Sequence, residues 1–183
     1  MDCKIPFYNL LNMLFVGVAF GACFIVIDPY NVSVIWATIQ DVLNNKVAEA
    51  FALLAIAYLI GLIINRIAST IVENALNTEK PKKLRNWASQ LFQIEWRDYK
   101  SYQIAEKLDP HIKILSREYA LSRNIMTMFL LLVVLSLLNC DLFGTILSVF
   151  LSFIFYFSAR KHVKKIVSRI DLNTKKKTNS TDY

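Results

Sequence analysis

Four runs of uncharged, apolar residues decide what this chain can become, because each is too long to be an ordinary buried strand or a short core helix. The first runs from Ile5 to Ile27 and stops at Asp28 and Pro29. The second is uncharged from Ala50 to Asn65, the third from Asn124 to Cys140 and the fourth from Leu142 to Ala159. A helix rises about 1.5 Å per residue and the hydrocarbon core of a bilayer is about 30 Å thick, so runs of this length can cross it. The second is the shortest, and Lys46, Glu49 and Arg66 at its ends can snorkel to the headgroups. Of all residues 55% are hydrophobic and 19% charged, against about 25% charged in soluble domains, which leaves apolar surface for lipid.

Only a turn around Asn139, Cys140 and Asp141 separates the third run from the fourth, so those two form an antiparallel hairpin. Four spans put both termini on one side. Every Lys and Arg except Lys46 then falls on that side, in the termini or between the second and third runs. Cations are retained in the cytoplasm during insertion, so both termini are expected to be cytoplasmic. Gly21, Ala22 and Cys23 faintly resemble a lipoprotein cleavage site, but the charged leader is a single Lys4 and the apolar run continues past Cys23. The first helix is therefore expected to be retained. Cys3, Cys23 and Cys140 fall in three environments and make neither a disulfide framework nor a metal cluster.

Asp109 followed by Pro110 is a helix start, because Asp can accept a bond from an orphan backbone N–H and Pro fits the first helical position. A helix from Pro110 to Leu138 would be about 43 Å long, longer than the hydrocarbon core, so its first turns leave the membrane as a stalk. Leu108, Ile112, Leu115 and Tyr119, with Ser122, recur at helical spacing and predict a contact with another helix, within the bundle or in a second copy. The second run continues past Arg66 through Ile67, Ile71, Asn74 and Leu76, and the fourth past Arg160 through Val163, Ile166, Val167 and Ile170. The fold class expected is all-α: a polytopic membrane protein with four transmembrane helices, three of them extended into a cytoplasmic helical bundle.

By segment, residues 1–65 hold the first two spans and an outer loop, 66–124 a cytoplasmic helical domain, 125–159 the hairpin, 160–172 a basic cytoplasmic helix and 173–183 a disordered basic tail. Within the cytoplasmic domain, Glu79 to Lys83 with Pro81 reads as a turn. Leu84 to Leu108 reads as one or two amphipathic helices, whose aromatic residues suit packing between helices better than stacking on RNA. In the outer loop, Val34, Ile35, Trp36, Ile39, Val42 and Leu43 fit either a short helix in the membrane interface or an ordinary structured loop.

Residues that carry chemistry are scarce. The chain has two histidines, no Gly-rich phosphate loop, no paired Cys motif and no carboxylate pair at metal-binding spacing, so neither cofactor nor metal is expected. His111 falls in the first turn of the stalk. His162 falls among Arg160, Lys161, Lys164 and Lys165, a basic cytoplasmic face on which a neutral imidazole is expected. That basic surface suits RNA or anionic headgroups, and positive-inside retention alone would also produce it. Small residues allow close helix approach at Gly17 and Gly21, at Ala48 and Ala52, and at Ala57, Gly61 and Asn65. Asn9 and Asn12 on the first span, and Thr145, Ser148, Ser152 and Tyr156 on the fourth, form polar stripes. Such a stripe faces either another helix or water; in the second case these residues line a pore, which would take several copies in a ring.

The layout, together with the segment Ser116, Arg117, Glu118, Tyr119, Ala120, Leu121, Ser122, Arg123 and Asn124 running into the third span, resembles the small membrane accessory protein encoded beside RNA-guided, RNA-cleaving type VI-B CRISPR effectors. The resemblance implies a homo-oligomeric pore in the bacterial inner membrane that strengthens antiviral defence once the partner nuclease finds target RNA. A divergent HEPN-type RNase domain has also been discussed for that family, marked by Arg followed four to six residues later by His. That mark is missing: Lys107, not Arg, stands four residues before His111, and Arg160 precedes His162 by two. The expectation is a pore without enzymatic activity, with itself, the bilayer, and the partner nuclease or RNA as partners. The alternative is a membrane-anchored RNA-binding or divergent HEPN-like RNase module.

Overall fold

The computed structural model describes residues 7–43, 45–73 and 99–181, and among these the regular structure is entirely helical. In chain order the helices are α1 (Phe7–Ile27), α2 (Pro29–Val42), α3 (Lys46–Glu73), α4 (Tyr99–Leu108), α5 (Pro110–Leu138) and α6 (Leu142–Thr181). Four of them, α1, α3, α5 and α6, are long and apolar enough to cross a membrane. The predicted turn at Glu79 to Lys83, and all of the amphipathic stretch before Tyr99, lie outside the described residues.

The local chemistry explains where these helices begin and end. Asp28 and Pro29, which close the first apolar run, also open the next helix: the Asp28 carboxylate accepts from the Asn31 backbone N–H at 3.2 Å and from Asn31 Nδ2 at 2.7 Å. The segment between the first two apolar runs is therefore a helix and not an irregular loop. The same device opens α5, where His111 N–H donates to Asp109 Oδ1 at 2.9 Å, satisfying a donor that a helix start leaves without an intrahelical partner.

Two compact units divide the chain, one of residues 1–67 and 124–154, the other of residues 68–123 and 155–183. In the first, α1 and α3 run antiparallel at very short range. A Cβ built on Gly17 would lie 1.7 Å from the Ala57 carbonyl oxygen, and one built on Gly61 would lie 1.8 Å from that of Met13. Only hydrogen fits at either position. Gly21, one turn along from Gly17, has nothing within 4 Å of its hypothetical Cβ.

In the second unit, Ala105 of α4, Ile112 and Tyr119 of α5, and Ala159, Val163, Ile166 and Ile170 of α6 make one buried cluster. Tyr102, Leu115, Tyr156 and Val167 pack against it. At its edges, Tyr102 Oη hydrogen-bonds Ser116 Oγ, and Ser122 Oγ meets Ser158 Oγ at 3.0 Å.

The hairpin between α5 and α6 closes in a Schellman turn: Asp141 N–H donates to the Ser136 carbonyl at 2.9 Å and Cys140 N–H to that of Leu137 at 3.2 Å. Cys140 takes φ 54° to make it, a left-handed conformation that costs a residue with a Cβ about 1–2 kcal/mol. The side chain is exposed and forfeits no packing when removed. Cys140→Gly is expected to raise the melting temperature in detergent, by the equivalent of about 0.5–1 kcal/mol after allowing for the added freedom of the unfolded chain; an unchanged or lower temperature would mean that the turn carries no strain.

At the other end of α6 the structure departs from the sequence reading. The backbone is helical to Thr181, through most of the stretch expected to be a disordered basic tail. Extending a helix that already exists costs far less than nucleating one.

Candidate functional site: a charged helix pair and the buried polar residues of the spans

The second unit places charges at its surface through two helical registers. On α6, residues 159, 163, 166 and 170 are buried at intervals of four, three and four, so the residues between them point outward or sideways. Lys161, Lys164 and Lys165 are exposed, while Arg160 and His162 are half-buried at the flanks of the core face. On α5, Ile112 and Tyr119 enter the same core and leave Glu118 outside.

One ion pair and one histidine–carboxylate contact follow between α5, with the residue that opens it, and α6. Arg169 Nη1 donates to Asp109 Oδ2 at 2.7 Å, and His162 Nδ1 lies 3.2 Å from Glu118 Oε2 without the angle of a hydrogen bond. His162 therefore has a carboxylate for a neighbour, where the sequence reading surrounded it with cations alone. An open groove of about 880 Å³ runs beside these pairs, lined in part by His111, Leu115, Lys164, Lys165 and Asn173.

The hydrogen bond from Arg169, and after it the one from the His111 backbone N–H, hold the Asp109 carboxyl below its usual range. A carboxylate with a depressed folded-state pKa adds stability that is present above its unfolded value, about 3.9, and is lost as pH falls through the lower folded value. Asp109→Asn keeps a capping side chain and removes this charge. Its melting temperature is expected to lie below that of the wild type at neutral pH, with the gap closing as pH drops beneath about 4; a gap independent of pH would show that the charge contributes nothing.

The stripe Leu108, Ile112, Leu115 and Tyr119 is divided. Ile112 and Tyr119 are core residues and Leu115 packs against them, whereas Leu108 is 60% exposed. The polar residues of the spans are divided as well. Asn12, Ser148 and Ser152 are 8%, 5% and 6% exposed, enclosed by the chain's own helices rather than facing outward, and Asn12 Oδ1 has no hydrogen-bond partner among the described residues. Thr145 spends its hydroxyl on the start of α6, donating to the Asp141 carbonyl at 2.7 Å. Tyr156 packs on the core of the second unit, and Asn9 is exposed on the first turns of α1.

Sequence reasoning missed both contacts, since their partners lie 60 and 44 residues apart in the chain. A signal was available: Asp109 and Glu118 on one helix, and His162 and Arg169 on another, are separated by nine and seven residues, which suits two antiparallel helices joined at both ends. Among the described residues no three His, Cys, Asp or Glu side chains gather as a metal site would require. Comparison of the chain with family models, with curated proteins and with solved structures finds no match.

Proposed function

We propose that this chain forms a homo-oligomeric pore in a bacterial inner membrane, with both termini and the second unit in the cytoplasm, and that it permeabilises or depolarises the membrane as an accessory effector of an RNA-guided, RNA-targeting CRISPR nuclease. The observation that carries the reading is the continuity of α5 and α6. Each runs unbroken from an apolar stretch able to cross the bilayer into the charged, ion-paired unit, so an event in the cytoplasm has a direct mechanical route to the membrane. The distribution of cations, all but Lys46 at one end of the spans, supports the orientation. No catalytic step of its own is assigned to the chain.

Because Asn12, Ser148 and Ser152 are enclosed within a single copy, a lumen in this reading forms between copies. Apart from Asn9, the exposed side chains on α1 are largely apolar, including Phe7, Leu11, Phe15 and Val18. A narrow apolar lumen excludes water and stays closed until the copies shift, which fits an effector that is silent before its trigger.

Membrane potential in cells carrying the partner nuclease, with and without target RNA, tests the reading. Depolarisation is expected only with target and only with this chain present. A potential that never changes, together with purified protein that degrades RNA and loses that activity on His111→Ala or His162→Ala, would replace the pore with the membrane-anchored RNase. Ser148→Leu with Ser152→Leu is expected to disrupt folding rather than to narrow the passage, since both serines are buried within the single chain and the change adds bulk there.

A further inference from the structure

The outward face of α6 changes character without changing direction. Ile146, Phe150, Phe153 and Phe157 are 70%, 62%, 60% and 56% exposed, and follow one another at four, three and four residues. The same progression then continues through Lys161 and Lys164, with Lys165 beside them, and returns to an apolar side chain at Leu172. Opposite them, Ser148, Ser152, Ala159, Val163, Ile166 and Ile170 are buried. The three lysines are thus presented on the face that carries the exposed aromatic side chains, and not on the face that builds the core.

We propose that Lys161, Lys164 and Lys165 form a headgroup site for anionic phospholipid, approached from the lipid side of α6. This rests on α6 being a span and not on the pore. Lys161 stands one helical turn, about 6 Å, beyond Phe157. A lysine there lays its aliphatic stem along the apolar surface and brings its ammonium to the phosphate layer. The charge is available: Arg169 is held by Asp109, whereas none of the three lysines is paired among the described residues. RNA is the less suitable occupant of this face, because the surface that continues it is a row of exposed Phe side chains that belongs in lipid.

Purified full-length protein in mild detergent would be titrated with phosphatidylglycerol and with phosphatidylcholine of equal chain length, and the bound lipid counted by native mass spectrometry. The wild type is expected to prefer phosphatidylglycerol by about tenfold or more, less at high salt. Lys161→Gln, Lys164→Gln and Lys165→Gln together should remove that preference, and the corresponding triple change to Arg should keep it. Equal retention of the two lipids by the wild type overturns the proposal even if the Gln variant does not fold. So does a preference that survives the Gln changes, or a polyuridine oligonucleotide whose binding is lost in the Gln variant while the lipid preference stays. Release of the chain from membranes by alkaline carbonate would instead show that α6 is not a span.

Discussion

Gly17→Ala is expected to destabilise the protein by about 3 kcal/mol and to leave most of it aggregated after extraction, while Gly21→Ala is neutral or slightly stabilising. The two substitutions add the same methyl group to the same helix one turn apart. At Gly17 the new Cβ would stand 1.7 Å from the Ala57 carbonyl oxygen, and at Gly21 it would meet nothing within 4 Å. A backbone atom cannot rotate aside as a side chain can, so α1 and α3 must separate and give up the close packing that holds helices together in lipid. At Gly21 the change only removes backbone freedom from the unfolded state and improves helix propensity. Gly61→Ala should behave as Gly17→Ala, because its Cβ meets the Met13 carbonyl from the other helix. Monodispersity on size exclusion and melting temperature in detergent would read the effect, and equal behaviour of the Gly17 and Gly21 variants would mean that α1 and α3 do not meet at these glycines.

The second large effect is expected at Ile112, whose side chain is fully enclosed by the cluster of α4, α5 and α6. Ile112→Ala removes buried carbon and leaves a cavity, at a cost of about 2–5 kcal/mol. Leu108→Ala, at the last residue of α4, removes a side chain that is 60% exposed in the single chain and should leave its stability within about 0.5 kcal/mol. The pair distinguishes packing from assembly. If Leu108→Ala leaves the fold intact but lowers the number of copies in the particle, Leu108 is buried against a second copy; if Ile112→Ala costs nothing, the cluster is not the core of its unit.

The spans, the hairpin turn and the start of α5 were legible because each is written in consecutive residues: apolar length, the Asn139 to Asp141 turn, and Asp109 before Pro110. The second Asp-Pro pair, at Asp28 and Pro29, was read only as the end of α1, although the same chemistry starts α2. Polar stripes were harder to interpret. Helical spacing places Ser148 and Ser152 on one face but does not say whether that face meets water or a neighbouring helix, and the answer depends on which helix lies opposite. The small-residue motifs show the same limit, since Gly17 and Gly21 satisfy one pattern while only Gly17 is at the crossing. His162 acquired an acidic neighbour from a helix 44 positions back in the chain, a proximity no local pattern encodes.

Beyond Gly144, α6 contains neither Gly nor Pro as far as Thr181, the two residues at which helices usually bend sharply. It therefore lacks the residues at which a hinge is most easily built. Every turn from Thr145 onward is instead closed by the ordinary hydrogen bonds of its neighbours, with no residue that forfeits one. Introducing a joint, as Ala159→Pro would, removes one of those bonds.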